Sequence, residues 1–463
     1  MQKPDKIKDK KKSRLTSGQM MPLGFLLIIL IGSLILNTPL ALAPGVKMDF
    51  LTSLFTATTS VCITGLSVVD MSLHWSLFGK VVVLILIQIG GMGTVLVSSM
   101  ILLALNKKIS IKDRALLMDY FNLENIGGII KFIRRVVRGI IIVEFIGALL
   151  YSFVFIPKYG LARGIWYSVF HSISAFCNAG IDILGPNSLI AYQDNFYLLS
   201  VTAFLIIMGG LGFVVWFDCL DTFKKSFKYK RGFRQYFHRL TEHTKLVLSV
   251  TGFLIVSGTM LVFFMEFSNP GTIGNMGIVK RLFNAFFESV TLRTAGFSSF
   301  SQENLRQATV LATCMYMFIG GSPMGTAGGV KTVTFFALFV NALGFAKGRN
   351  ESVVFNRSFS EKMSRKATAV ITVSLLISVT LTVLLMATEH VAMAPAMFEM
   401  FSATGTVGLS MAGTANFGIA GRIILIIAMY IGRVGPISMV VFFNAGTEEK
   451  NKISYAKGRF FIG

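Results

Sequence analysis

Long apolar stretches alternate with short segments that mix apolar and hydroxyl-bearing residues, and the alternation runs the length of the chain. Apolar runs lie near residues 22–44, 77–105, 133–156, 195–220, 245–267, 307–346, 367–387 and 419–445. A helix needs roughly 20 apolar residues to cross a hydrocarbon core about 30 Å thick, so the pattern predicts eight spans, in pairs. Between the members of each pair lies a shorter amphipathic segment, such as LTSLFTATTS after Asp49. It is long enough for about three helical turns, half a crossing. A half-span followed by irregular backbone is stable at membrane depth only where its carbonyls are buried in protein or line a water-filled path. The pattern therefore predicts pore loops.

The half-spans are copies of one unit. Each carries a phenylalanine ten residues ahead of a glycine: Phe55 to Gly65, Phe170 to Gly180, Phe286 to Gly296 and Phe398 to Gly408, with successive glycines 115, 116 and 112 residues apart. A second signature recurs in the span that follows: Ile89-Gly90-Gly91-Met92-Gly93, Met208-Gly209-Gly210-Leu211-Gly212, Ile319-Gly320-Gly321-Ser322-Pro323 and Ile431-Gly432-Arg433-Val434-Gly435. The predicted fold is an all-α membrane protein of four tandem span, pore-helix, span repeats arranged pseudo-fourfold around one central pore. The repeats are bounded at 21–110, 131–222, 243–346 and 366–447, with an arm at 1–20 and a tail at 448–463.

Most of the second-span glycines read as close-packing positions, as in small-xxx-small helix contacts. Two units depart from that. In the third, GGSPMGTAGGVKT (320–332) places Pro323 and five glycines inside an apolar run of about 40 residues. Proline removes a donor and glycine forfeits helix stability, so this span is expected to break in mid-membrane. In the fourth, Arg433 replaces the second glycine. A charge at that depth costs about 2.5 to 3.5 kcal/mol on insertion scales and marks a functional position; Arg433 is expected to face the aqueous path.

Composition and charge narrow the class. The chain has 463 residues, is 53% hydrophobic and 14% charged, and has a mean hydropathy of +0.68; a soluble domain carries about a quarter charged residues. The net charge of +22 is concentrated in alternate connections: the arm KPDKIKDKKKSR, Lys107 to Arg114, Lys131 to Arg138, Lys224 to Lys245, Lys347 to Lys366 and Lys450 to Arg459. Such clusters mark the cytoplasmic side, so both termini are expected inside and the pore loops on the outer half. They point to membrane lipid as the partner of the basic residues rather than nucleic acid. No cleavable signal is apparent. Cys62, Cys177, Cys219 and Cys314 have no ligand spacing, and the five histidines form no HExxH or clustered metal site, which argues against a membrane enzyme.

The chemistry of the loops suits a dehydrated alkali cation. Backbone carbonyls of an unwound segment can replace the ion's hydration shell, and glycine permits positive φ, which lets successive carbonyls turn toward one axis. The four filter arms are Val61-Cys62-Ile63-Thr64-Gly65, Phe176-Cys177-Asn178-Ala179-Gly180, Leu292-Arg293-Thr294-Ala295-Gly296 and Thr404-Gly405-Thr406-Val407-Gly408. None contains a GYG triplet, so the filter is expected to be less stringent than that of a dedicated potassium channel. Glu288 and Arg293 are expected to pair behind the third arm rather than to contact the ion, since an arginine on the axis would repel cations; Asp70, Asp182 and Glu303 are either acids that draw cations to the mouth or ordinary solvated loop charges. The break in the third span is either a simple kink or a flexible loop across the ion path, at Gly320, Gly321, Ser322, Pro323, Gly325, Thr326, Gly328, Gly329 and Lys331, with Arg433 just below the filter.

With VTLRTAGF (290–297), SATGTVGLS (402–410), GGSPMGTAGGVKT and IGRVGP in order, the chain resembles the Trk/Ktr/HKT superfamily of potassium transporters, and within it the Ktr-type membrane subunit. The resemblance covers roughly residue 20 to the carboxyl terminus. It implies potassium uptake across a bacterial cell membrane and a filter at Gly65, Gly180, Gly296 and Gly408. It also implies a gate formed by the 320–332 loop and Arg433, a homodimer, and a ring of cytoplasmic nucleotide-binding subunits on a separate chain. Serine at the first filter position accompanies sodium preference in this superfamily; here it is Gly65, which favours potassium, with sodium a possible activator. The competing readings are a sodium-permeable transporter of the same fold and a secondary transporter for organic solutes, though inverted repeats, expected of the latter, are not seen.

Overall fold

The computed structural model describes residues 17–93, 96, 97, 100, 128–229, 232–348, 353–355 and 357–435. The arm before residue 17, the Lys107 to Arg114 cluster and the 448–463 tail lie outside the described residues. Fifteen helices are followed below: α1 (Ser17–Leu36), α2 (Phe50–Val61), α3 (Leu77–Met92), α4 (Ile129–Tyr159), α5 (Leu161–Phe176), α6 (Phe196–Leu211), α7 (Phe213–Lys228), α8 (Phe233–Arg239), α9 (Glu242–Glu266), α10 (Ile278–Thr291), α11 (Gln307–Phe318), α12 (Thr332–Ala346), α13 (Glu361–Glu389), α14 (Met393–Gly405) and α15 (Ile419–Val434). A two-residue antiparallel ribbon, β1 (Val353–Val354) with β2 (Arg357–Ser358), lies between α12 and α13.

Among the described residues, three helices are individually long and apolar enough to cross a membrane: α4, α9 and α13. Their outward faces are apolar, with Ile141, Phe145, Phe253, Phe264, Leu376 and Val383 all exposed, as suits contact with lipid rather than water. Each opening span, α1, α4, α9 or α13, packs against the short helix that follows it, α2, α5, α10 or α14. Phe55, Phe170 and Phe398 are fully buried in these short helices; in the third it is Phe287, one residue on from Phe286, that is fully buried.

The second spans differ from the sequence expectation. A break was expected in the third unit only, yet the helix stops at the shared signature in all four. Helices α3, α6 and α15 end at Gly93 (φ 80°), Gly212 (φ 94°) and Gly435 (φ 88°). In this left-handed region an L-side chain clashes with its own backbone, and glycine does not. In the third unit α11 ends at Phe318 and α12 begins at Thr332. The close-packing reading of the first signature glycine also describes its surroundings: a methyl at Gly90, Gly209 or Gly432 would collide with the carbonyl of Val61, Phe176 or Thr404, the last turn of the short helix of its own unit. One signature thus packs a helix and then ends it.

Candidate functional site

The short helices α2, α5, α10 and α14 all end at the arms, directing the negative ends of their dipoles toward them. Asp49 fixes the start of α2 by accepting hydrogen bonds from the Leu51 and Thr52 amides at 3.1 and 3.3 Å, which satisfies donors that a helix leaves open. Beyond each short helix the backbone follows one rule. The residue two before the arm glycine is left-handed in every arm: Ile63 (φ 51°), Asn178 (58°), Thr294 (63°) and Thr406 (53°). The glycine is left-handed again: Gly65 (99°), Gly180 (63°), Gly296 (82°) and Gly408 (96°). Four non-glycine residues held this way are unusual, and such strain collects at functional sites.

The arms touch in a closed cycle. A methyl on Gly65 would lie 2.6 Å from the Ala179 carbonyl oxygen, and one on Gly296 2.6 Å from that of Val407. Gly180 meets the Ala295 carbonyl and Gly408 the Thr64 carbonyl in the same way. In every case the glycine of one arm abuts the carbonyl one residue before the glycine of the next, so any side chain would force the arms apart. The hydroxyls of Thr59 and Ser402 hold two arms in place, each accepting from the glycine amide six residues on, Gly65 or Gly408, at 3.0 Å. Ser174 donates to the Ile181 carbonyl at 2.5 Å. In the fourth unit Glu399, fully buried, accepts from the Ser410 hydroxyl and from the amides of Met411 and Ala412 at 3.2 and 3.1 Å, anchoring the chain beyond Gly408.

On one side of the arms lies a cavity of about 710 Å³, lined by all four arm glycines together with Asp70, Asp182, Gln302 and Glu303. Burial pushes the Asp182 carboxyl up to about 7, against the hydrogen bond that it accepts from the Leu184 amide. On the other side, the 319–331 segment crosses under the arms. It folds on itself through Gly320 N to Val330 O at 2.9 Å, Thr332 N to Gly321 O at 3.1 Å, and the Ser322 and Thr332 hydroxyls at 3.0 Å. The second unit receives it: Ser322 N donates to Gly210 O, Thr326 N to Gly209 O, and the Thr326 hydroxyl contacts Phe176 O at 3.0 Å and Asn178 Oδ1 at 2.9 Å. Pro323 and Gly325 approach Gly212 and Gly209, while Gly328 and Gly329 lie against Thr406 and Gly405 of the fourth arm. Lys331 Nζ donates back to Ala327 O at 2.7 Å.

Arg433, half-buried, donates to Thr326 O at 2.7 Å and to Gly90 O, joining the first, third and fourth units beneath the arms. One expectation is corrected. Glu288 and Arg293 do not pair. Gln302 Nε2 donates to Glu288 Oε2 at 3.2 Å, while Arg293 Nη2 reaches Thr251 Oγ1 at 3.5 Å on α9. Glu288 lies in α10 and Arg293 beyond the helix end, and the two turn to different neighbours. Leu292 and Cys62 are buried at the helix caps, and Cys177 lies beside Gln88 and Glu144.

Residues 22–455 match the family model described as TrkH, cation transport protein. The chain belongs to the TrkH family of cation transport proteins. Its relatives include the Ktr system potassium uptake protein B of Bacillus subtilis, 38% identical over 450 residues with 97% of each chain covered. The potassium/sodium uptake protein NtpJ of Enterococcus hirae is 37% identical over 438 residues, 94% of each. Among solved structures, the potassium transporter TrkH from Vibrio parahaemolyticus aligns with a TM-score of 0.69 at 15% identity, covering 93% of this chain and 86% of that one. That likeness places the helices in the TrkH fold. A TrkH-family chain is a multi-pass membrane transporter and not an enzyme.

Proposed function

We propose that the chain takes up potassium across a bacterial cell membrane through a pseudo-fourfold pore, with Gly65, Gly180, Gly296 and Gly408 and the four residues before each as its selectivity filter. The observation that carries this reading is the closed cycle of arms, each left-handed at the glycine and again two residues earlier. Alternation of this kind turns successive carbonyls to one side of the chain, so four arms supply stacked oxygens that need no reorganisation to hold a dehydrated cation. The names of the relatives, potassium uptake and potassium/sodium uptake, support the choice of ion and keep sodium as an activator.

The repeats run 21–110, 131–222, 243–346 and 366–447, with both termini cytoplasmic. The 320–332 loop is the gate, latched by Arg433 on Thr326 and Gly90, and a latch made of backbone carbonyls and one guanidinium can release without unfolding a span. A homodimer served by a ring of nucleotide-binding regulatory subunits completes the assembly; such subunits would act on the loop from the cytoplasmic side. The test is growth of potassium-uptake-deficient cells at micromolar potassium, with the chain and a cognate regulatory subunit. Rescue supports the reading; absence of rescue with the chain present in the membrane counts against it.

A further inference from the structure

Helix α7 does not continue its span. It leaves α6 at Gly212 with a bend of 99°, so where α6 crosses the membrane α7 runs close to parallel with its surface. Its two faces differ. Trp216, Phe217, Thr222 and Ser226 are buried against the protein, whereas Leu220, Phe223 and Phe227 are 50%, 58% and 79% exposed. Spaced i, i+3 and i+7, these three form a single stripe, and the rings of Phe223 and Phe227 stack at 6.2 Å.

Lys224 and Lys228 stand exposed on the flank beside the stripe, while Lys225, also exposed, lies on the far side of the helix. The acids of the helix are paired within the protein. Asp221 takes a two-point ion pair from Arg135 of α4, at 2.9 and 2.5 Å, and Asp218 accepts from the Thr241 amide and hydroxyl. The three ion pairs among the described residues use none of the three lysines. The exposed surface therefore has an apolar stripe with positive charge along one edge.

We propose that this face of α7 rests on the membrane surface at the end of α6, with Leu220, Phe223 and Phe227 at the acyl boundary and Lys224 and Lys228 on anionic lipid headgroups. A helix with one apolar stripe and flanking lysines lies in the interface plane, and its lysine stems reach from the apolar edge to the headgroups. The charge is complementary to an anionic leaflet, and the bend supplies the orientation. The inference does not depend on which ion passes the arms. It gives the lipid a mechanical connection to them: the first amide of α7, Phe213 N, donates to Met324 O at 3.1 Å, within the segment under the arms.

The test uses the full chain in lipid vesicles, with Cys219→Ala as background and an environment-sensitive nitrobenzoxadiazole label on Phe227→Cys or, separately, on Leu220→Cys. In vesicles containing phosphatidylglycerol the label should emit to the blue and lose fluorescence to acyl-brominated lipid. The loss should be smaller in phosphatidylcholine alone, and smaller in the phosphatidylglycerol vesicles when Lys224→Gln and Lys228→Gln are combined. Emission that brominated lipid leaves unchanged at both positions would overturn the proposal, whether water, a second copy or a cytoplasmic protein covers the stripe. Quenching insensitive to phosphatidylglycerol and to the lysine substitutions would overturn the headgroup contact.

Discussion

Gly65→Ser is the substitution that separates a filter from a tightly packed structural ring. Two penalties meet at this position. The residue has φ of 99°, where an L-side chain costs about 1–2 kcal/mol. Its Cβ would also lie 2.6 Å from the Ala179 oxygen, and since Cβ contacts under 3.0 Å essentially never occur, the first and second arms must part by at least about 0.4 Å. If those arms aim carbonyls at a dehydrated potassium ion, a loss of about 1–2 kcal/mol of discrimination corresponds to roughly 5- to 30-fold. Gly45→Ser is the matching control: φ is 85°, so the backbone strain is similar, but a methyl there meets nothing within 4 Å. Uptake of radiolabelled rubidium and sodium into proteoliposomes should show a lower rubidium-to-sodium ratio for Gly65→Ser and an unaltered ratio for Gly45→Ser. An unaltered ratio in Gly65→Ser, with normal protein in the vesicles, would refute the placement of the filter at this glycine.

Arg433→Gln removes a guanidinium that donates to two carbonyls in different units; such bonds are worth about 1.5–3 kcal/mol each. Rubidium flux should rise at least about tenfold, and reduced flux in folded protein would make Arg433 a structural tie. Asp182 has its pKa raised to about 7 by burial, so its carboxylate is charged above that pH and neutral below it. The apparent KM for potassium should therefore increase as external pH falls from about 8 to about 6, and Asp182→Asn should abolish that dependence; a profile identical to wild type would separate Asp182 from cation entry. Glu399→Gln exchanges one acceptor for a donor among the donors of Ser410, Met411, Ala412 and Thr414, a mismatch costing about 1–3 kcal/mol. Its thermal midpoint should fall by several degrees in detergent, and an unaltered midpoint would show that the carboxylate is not holding the chain beyond Gly408.

Family and helical class were legible because they rest on what sequence records well: length of apolar runs, spacing of glycines, and motifs in a fixed order. The arm glycines stood out for the same reason, since only glycine avoids both the neighbouring carbonyl and the positive-φ penalty. The left-handed residues two positions earlier did not stand out. Ile63, Asn178, Thr294 and Thr406 have no side-chain type common to all four, and their conformation is imposed by the helix end before them and the glycine after. The breaks at Gly93, Gly212 and Gly435 were hidden differently: a glycine within an apolar run reads equally as close packing or as a helix end, and here both occur within four residues. Arg433 was visible as a charge out of place, but its partners, Thr326 and Gly90, lie 107 and 343 residues away. The expected Glu288 pair failed because proximity in sequence does not fix direction past a helix end; Gln302, the partner found, is 14 residues on.

The central claim is that ions are held where the four arms meet. Its most direct measurement is a crystal structure of the protein grown in rubidium, with anomalous differences recorded at the rubidium edge. The account predicts a peak on the axis between Gly65, Gly180, Gly296 and Gly408, facing the carbonyls of Thr64, Ala179, Ala295 and Val407. Protein that still transports rubidium but shows its peaks elsewhere, with none on that axis, would contradict it.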